Sequence, residues 1–317
     1  MVMRPTVPAL APFVESFWYF AQRLPNVRER VLPTGEMQLL VNLHEDELRS
    51  YDELGRARPV AGSALQGVHG GPVTIDTAQQ RAIVGVGFRP GGAFPFFAPP
   101  ASEVRDGLVP LDALWGRDGA VLRDRLLSAH GPDAVRPDWL LSARRPDTVL
   151  SDGVQSASEP GAVRPDHLPH GPDAVLRTLQ AVLLERLARP LVPDPAVGYA
   201  VAAFERGAGV ATVAERLGMT HKRFAGRFTD QIGLTPKRFA RVRRFQRLIA
   251  AIPAQASVDW ARLAADRGYY DQAHLIHEFR AFSGVRPTEY RPRSANERNH
   301  VPISPMQAGA DRATMGP

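Results

Sequence analysis

Residues 213–228 read VAERLGMTHKRFAGRF and residues 268–291 read GYYDQAHLIHEFRAFSGVRPTEYR, and the two stretches belong to two copies of one pattern. Phe228 pairs with Phe279, Gly233 with Gly284, Pro236 with Pro287 and Phe239 with Tyr290, all at an offset of 51. Upstream, Val210 pairs with Trp260, Ala214 with Ala264 and Gly218 with Gly268 at an offset of 50, so the second copy carries one extra residue in its turn. Each copy spells a helix-turn-helix. In the first, Ala211–Leu217 is a short helix whose Ala214 is small where a second helix must cross closely. Gly218 then supplies the positive φ of a tight turn, and Thr220 caps the next helix through its side-chain oxygen. Phe224 and Phe228, four apart, face inward. Ala264, Gly268, the cap Asp271, Leu275 and Phe279 repeat these jobs. An ordinary helical hairpin explains one copy as well, but not two.

Between the copies, GLTPKRFARVRRFQRL (233–248) gives a helix capped by Thr235, with Pro236 at its first position, where a missing N–H costs nothing. It runs to about Ile252, where Pro253 stops it. Phe239, Val242, Phe245, Leu248, Ile249 and Ile252 form its apolar side. Such a helix spans about 25 Å, a spacer able to hold two recognition helices roughly one DNA turn, about 34 Å, apart. Charge points the same way. Residues 201–300 hold 18 Lys/Arg against 9 Asp/Glu, a net of +9 within a whole-chain net of +6. Basic charge gathered on one domain favours a phosphate-backbone partner, since each neutralised phosphate releases counterions.

Outward from this region the chain changes character. Its first 116 residues read as strand and turn: Met37, Leu39, Val41 and Leu43 alternate with polar neighbours, and Ala82–Phe88 is a second strand closed by the turn Arg89-Pro90-Gly91-Gly92. Short strands broken by Gly and Pro favour a sandwich or small barrel. A helical connector follows over 117–195, with helices at 118–129 and 173–188 and a Pro-, Asp-, Ser- and Gly-rich linker at about 142–172, expected to be disordered. A further helix spans 196–206, within a helical domain over 196–293, and the polar tail 294–317 is expected to be disordered. The fold class is therefore multidomain: a β-rich N-terminal domain and an all-α C-terminal domain in which a long helix joins two helix-turn-helix units. The helix carrying Leu122 and Leu126 fits either a homodimer seam or packing on its own barrel.

Over residues 196–291 the chain resembles the DNA-binding domain of the AraC/XylS family of bacterial transcriptional regulators, most specifically in the DQAHL run and the closing Gly-x-x-Pro-x-x-Tyr-Arg. FVESFWYF (13–20), LPTGEMQLLVNL (32–43) and GFRPGGAFPFF (87–97) are similar to the cupin-like sensor domain of one branch of these regulators. The resemblance implies two recognition helices in successive major grooves of double-stranded DNA, recruitment or hindrance of RNA polymerase, and modulation by a small-molecule effector or by dimerisation. By helical facing, His221, Lys222, Ala225 and Gly226 of the first recognition helix meet the bases, as do Gln272, Ala273, His274, Ile276 and His277 of the second. Gln bonds adenine bidentately and Lys donates to guanine, which favours Gln272 and Lys222 as readers. Arg223, Arg227, Arg238, Arg241 and Arg244 are expected to hold phosphate, which positions without specifying. Two departures stand out: Gly226 where the family carries a basic residue, and His277 where it carries Arg.

Other chemistry finds little support. With no cysteine, disulfides, thiolate metal sites and cysteine nucleophiles are excluded. No stretch is apolar for long enough to span a membrane, and the first residues lack the order of a secretory signal, so a cytoplasmic protein without cofactor or metal is expected. Gly85, Gly87, Gly91 and Gly92 lack the spacing of a nucleotide cradle, and no Gly-x-Ser-x-Gly elbow exists; no enzyme is expected. His44 and His69 stand far apart in sequence, and His274 and His277, three apart, share a face already assigned to DNA. Trp18, Phe20, Phe88, Phe94, Phe96 and Phe97 suit a core better than a ligand pocket. Two alternatives stay open: a cupin-type enzyme tethered to DNA, and an architectural DNA binder without effector control.

Overall fold

Apolar and polar residues alternate through the first half of the chain, and the strands they form make two antiparallel sheets. The computed structural model describes residues 1–24, 28–52, 54–131, 170–187, 193–253 and 258–303. One sheet has six strands in the order β1 (Val2–Met3), β2 (Val14–Phe20), β9 (Ile83–Phe88), β4 (Gln38–Asn42), β7 (Ser63–Gln66) and β10 (Leu108–Pro110). The other has five: β11 (His300–Pro302), β3 (Arg28–Val31), β8 (Val73–Asp76), β5 (Glu47–Tyr51) and β6 (Ala57–Ala61).

Period-two alternation gives the six-stranded sheet two different faces. Leu39 and Val41 of β4, Val84, Val86 and Phe88 of β9, and Phe17 and Tyr19 of β2 are buried in the main core on its outer face. Helices α1 (Leu111–Trp115), α2 (Arg117–His130) and α3 (Pro172–Arg186) pack against that face. Leu122 and Leu126 of α2 are wholly buried there, so they serve the protein's own barrel and not a dimer seam. Of the aromatic residues expected to be core, Phe88, Phe96 and Phe97 are, whereas Phe94 is exposed. Trp18 and Phe20 point the other way, into a cavity between the sheets. Most of the expected linker, up to residue 169, lies outside the described residues. The described chain on either side of residues 132–169 comes together, for Gly171 N donates to Ala129 O at 3.0 Å.

The second half is helical: α4 (Pro195–Glu205), α5 (Val210–Arg216), α6 (His221–Ile232), α7 (Pro236–Ala251), α8 (Trp260–Asp266) and α9 (Gln272–Ser283). The starts expected from sequence are all present. Thr220 accepts from Arg223 N, Thr235 from Arg238 N, and Asp271 from His274 N. Gly218 and Gly268 hold φ of +63° and +73° in the two tight turns. Phe204, Phe224, Phe228 and Phe239 pack together in the first unit, and Phe245, Phe279, Phe282, Trp260 and Tyr290 in the second. Truncating one such buried ring to Ala costs about 3–5 kcal/mol.

A single buried core runs through both halves. Where α6 ends, Gly233 sits at φ +87°, and any Cβ there would run into Val68 and the Ala101 carbonyl. Ala101 N donates to Asp230 O at 2.7 Å across the same seam. The tail also departs from expectation: residues 294–303 are ordered, and β11 pairs with β3 through His300–Val31, Val301–Arg30 and Pro302–Glu29. Buried Val301 and ion pairing to Glu29 hold it in place; Glu29 is 264 residues from Arg293, so no local pattern announces the pairing. Residues 304–317 lie outside the described set.

Candidate nucleic-acid interface and ligand cavity

Each recognition helix presents its first turn to solvent. On α6, His221, Lys222, Arg223 and Gly226 are exposed and Ala225 is half-buried, while Phe224 and Phe228 anchor the opposite side. On α9, Gln272, Ala273, Ile276 and His277 are exposed over buried Leu275 and Phe279. Apart from half-buried Ala225 and His274, the base-facing residues read from sequence thus share an exposed face on each helix. His274 is half-buried: its Nδ1 accepts from Tyr270 N at 3.2 Å, its ring meets Tyr269 edge-on, and its Nε2 lies 3.7 Å from Glu278. It braces its own turn, and its imidazole is already engaged.

The arginines expected on phosphate divide sharply. Arg223 is exposed and makes no side-chain hydrogen bond or ion pair among the described residues. Arg227 is paired with Asp194, the residue that caps α4. Arg238 donates to the Gly70 carbonyl of the N-terminal domain and lies over the Phe282 ring. Arg241 and Arg244 both hold Glu278, which is only 2% exposed, and Arg244 also donates to Gly268 O at 3.2 Å. Burial alone would raise the Glu278 carboxyl, but the two guanidiniums outweigh it and hold it below the usual carboxylate range. Of the five arginines expected on phosphate, Arg227, Arg238, Arg241 and Arg244 are thus each paired within the protein. A helical wheel shows them as polar, but tertiary packing turns them toward buried or neighbouring acceptors.

Three exposed side chains were missed. Lys237 and Arg280 have no ion-pair or hydrogen-bond partner among the described residues. Tyr270, in the turn before α9, is 92% exposed. Position in the turn was the only sequence signal for Tyr270, since adjacent Tyr269 is buried.

The N-terminal sheets enclose a cavity of about 1020 Å³. Trp18, Phe20, Leu40, Leu48, Ile75 and Ile83 line it, together with Gln38, Gln66 and His69. Burial lowers the His69 pKa to about 4, against a smaller opposing pull from Asp106, so the ring is neutral near pH 7. Arg293, Glu297 and His300, which follow directly on the second helix-turn-helix unit, form part of the cavity wall. Arg293 Nη1 donates to both Glu29 oxygens at 3.0 and 3.2 Å and to Gln80 Oε1 at 2.7 Å, and its guanidinium lies over the Phe20 ring. His300 Nδ1 is 2.7 Å from Glu29 Oε1. Burial would raise the Glu29 carboxyl, yet His300 and Arg293 hold it low. Arg298 ties the same segment to α7 by donating to the Ile249 and Ile252 carbonyls at 2.8 and 2.7 Å.

Among the described residues no group of three or more His, Asp or Glu is placed to hold a metal ion, and no helix is long and apolar enough to cross a membrane.

Residues 213–293 match the family model described as a helix-turn-helix domain, and residues 3–110 match one described as a domain of unknown function (DUF6597). No curated protein matches the chain. Among solved structures it is similar to ToxT from Vibrio cholerae at 8% identity, over 86% of this chain and 97% of that one, with a TM-score of 0.40. ToxT bound to (E)-4-(8-methylnaphthalen-1-yl)but-3-enoic acid matches at 9% identity over 86% and 97%, with a TM-score of 0.41. An unsaturated fatty acid-bound form of ToxT matches at 8% over 86% and 94%, with a TM-score of 0.38. At such identities no side-chain role passes from one protein to the other. The helix-turn-helix match covers the region where two capped helices stand in a basic, all-α domain behind a two-sheet domain, so the second half of the chain contains a helix-turn-helix domain.

Proposed function

We propose that the protein is a sequence-specific transcriptional regulator that reads two successive major grooves with α6 and α9. The observation that carries this is the matched pair of exposed first turns. Both follow a side-chain cap and a positive-φ glycine, and both carry unpartnered polar side chains: His221, Lys222 and Arg223 on α6, Gln272 and His277 on α9. Lys222 and Gln272 read bases, with His221, Ala225, Ala273 and His277 beside them. Arg223, Lys237 and Arg280 supply phosphate contacts, and Tyr270 packs on the backbone before α9. Binding recruits or hinders RNA polymerase.

The N-terminal domain acts as a sensor whose cavity takes a small molecule. Its wall contains Arg293, Glu297 and His300, so an occupant touches the segment that leaves the second helix-turn-helix unit. This supports effector control over an architectural role. Selection of bound sequences from random duplex DNA by the full chain, at stated near-physiological salt, tests the reading. Two boxes about ten base pairs apart are expected. Enrichment of no sequence, with binding that vanishes as salt is added, would overturn it.

A further inference from the structure

We propose that the cavity between the sheets binds an uncharged small molecule with a flat apolar body and an amide-like polar end, the end held by Gln38 and Gln66 and the body by Trp18 and Leu40. This rests on the reading of the N-terminal domain as a sensor, and it names what is sensed.

Strand register sets out the site. Ser16 lies opposite Gly87, Gly87 opposite Gln38, and Gln38 opposite Gln66, so three polar side chains stand in one row across β2, β4 and β7 on the cavity face. The next row on that face, two residues along each strand, is Trp18, Gly85, Leu40 and Ala64. A Cβ at Gly85 would run into the Trp18 ring, so this glycine lets the indole lie flat across the strand. The floor of the cavity thus has a hydrogen-bonding end and a flat apolar end.

The amides of Gln38 and Gln66 have no hydrogen-bond partner among the described residues. Each offers two donors and an acceptor, and half-buried amides without partners are costly in a well-packed sheet. They suit a ligand group that both donates and accepts. His69 lines the same cavity and adds an unpartnered Nε2 on a neutral ring.

Charge argues against an ionic head. The arginines on the cavity wall are already engaged: Arg49 with Glu45 and Glu47, Arg58 with Asp52, Arg293 with Glu29 and Glu297, and Arg298 with backbone carbonyls. An anion would have to break one of these pairs, and a cation would have to draw a carboxylate from its arginine; either leaves a poorly compensated charge. A neutral ligand disturbs none of them. The volume of about 1020 Å³ accommodates a molecule of several fused or linked rings.

The test compares 4-phenylbenzamide with 4-phenylbenzoate, which share one body and differ in head charge, by calorimetric titration of the full chain at pH 7.5. The amide is expected to bind at least tenfold more tightly. In the Gln38→Leu, Gln66→Leu double variant, with its melting temperature and DNA binding checked against the parent, that advantage is expected to vanish. Benzoate binding as tightly as the amide overturns the ligand class while leaving a sensor in place. An amide advantage unchanged in the double variant overturns the site. Binding of neither compound to the parent overturns both the proposal and the sensor reading of this cavity.

Discussion

The two helix-turn-helix units repeat the same backbone signals but are braced differently. Arg227 of the first unit and Glu278 of the second occupy the same position in the repeat, 51 residues apart, with opposite charge. Arg227 reaches back to Asp194, whose carboxylate also caps α4 by accepting from Ala196 N at 2.9 Å. Glu278 reaches to Arg241 and Arg244 on α7 and is almost fully buried. Each recognition helix is thus tied to the helix that precedes its own unit, the first through a carboxylate held by one guanidinium and the Gln231 amide, the second through a carboxylate held by two guanidiniums. The repeat preserves what shapes the backbone, namely caps, glycines and aromatic anchors, while the charge between helices follows whatever the neighbouring helix offers. The ends of the two recognition helices differ as well. Gly233 docks against Val68 and Ala101, whereas the segment after Gly284 runs on to Arg293 and β11.

The largest expected effect lies at the buried charge. Glu278→Ala leaves two half-buried arginines without their carboxylate and is expected to cost about 3–5 kcal/mol in denaturant unfolding. Arg227→Ala, at a more exposed pair, is expected to cost about 1 kcal/mol. Equal losses would break the comparison. Acid sharpens it. The Glu278 pKa is lowered in the folded protein, so its contribution is complete above the ordinary value of 4.5 and is lost as pH falls through the folded-state value. Melting temperatures between pH 3 and 7 should therefore fall less steeply below pH 4.5 in Glu278→Ala than in the parent; parallel slopes would contradict this.

Next in size is the docking of the first unit. Gly233→Ala combines left-handed strain with a clash against Val68 and is expected to cost about 3 kcal/mol. Gly218→Ala has the strain alone, with no atom within 4 Å of the added Cβ, and is expected to cost about 1 kcal/mol. If the two lose the same stability, the contact with the N-terminal domain contributes nothing.

The smallest effect on folding, and the most direct on function, is at exposed cations. Arg223→Ala and Lys222→Ala should leave stability within about 0.5 kcal/mol while each reduces the salt dependence of DNA binding by about one ion. Charge reversal at Arg241 and Arg244 acts through Glu278 instead, so loss of fold is expected before any change in salt slope. A flattened slope in a stably folded variant would restore those arginines to phosphate.

Much of this molecule was legible in its sequence because the signals were local. Caps at Thr220, Thr235 and Asp271, glycines at 218 and 268, and period-two alternation through Leu39 and Val41 each act within a few residues, and the chain folds there as read. The exposed faces carrying Lys222 and Gln272 followed from the same periodicity. Side chains whose partners lie far along the chain were read less well. Arg238 meets Gly70 and Arg293 meets Glu29.

By itself, then, the sequence determined the repeated unit, its helix starts and the strand faces, since each depends on steric and hydrogen-bonding preferences expressed over a single turn or a single pleat. Only the tertiary structure decided which arginines are paired within the protein, that residues 294–303 close the wall of the N-terminal cavity, and that Gln38 stands beside Gln66. Those outcomes depend on which charges and strands from distant segments come together, and a long flexible side chain such as Arg takes whichever acceptor the fold brings within reach.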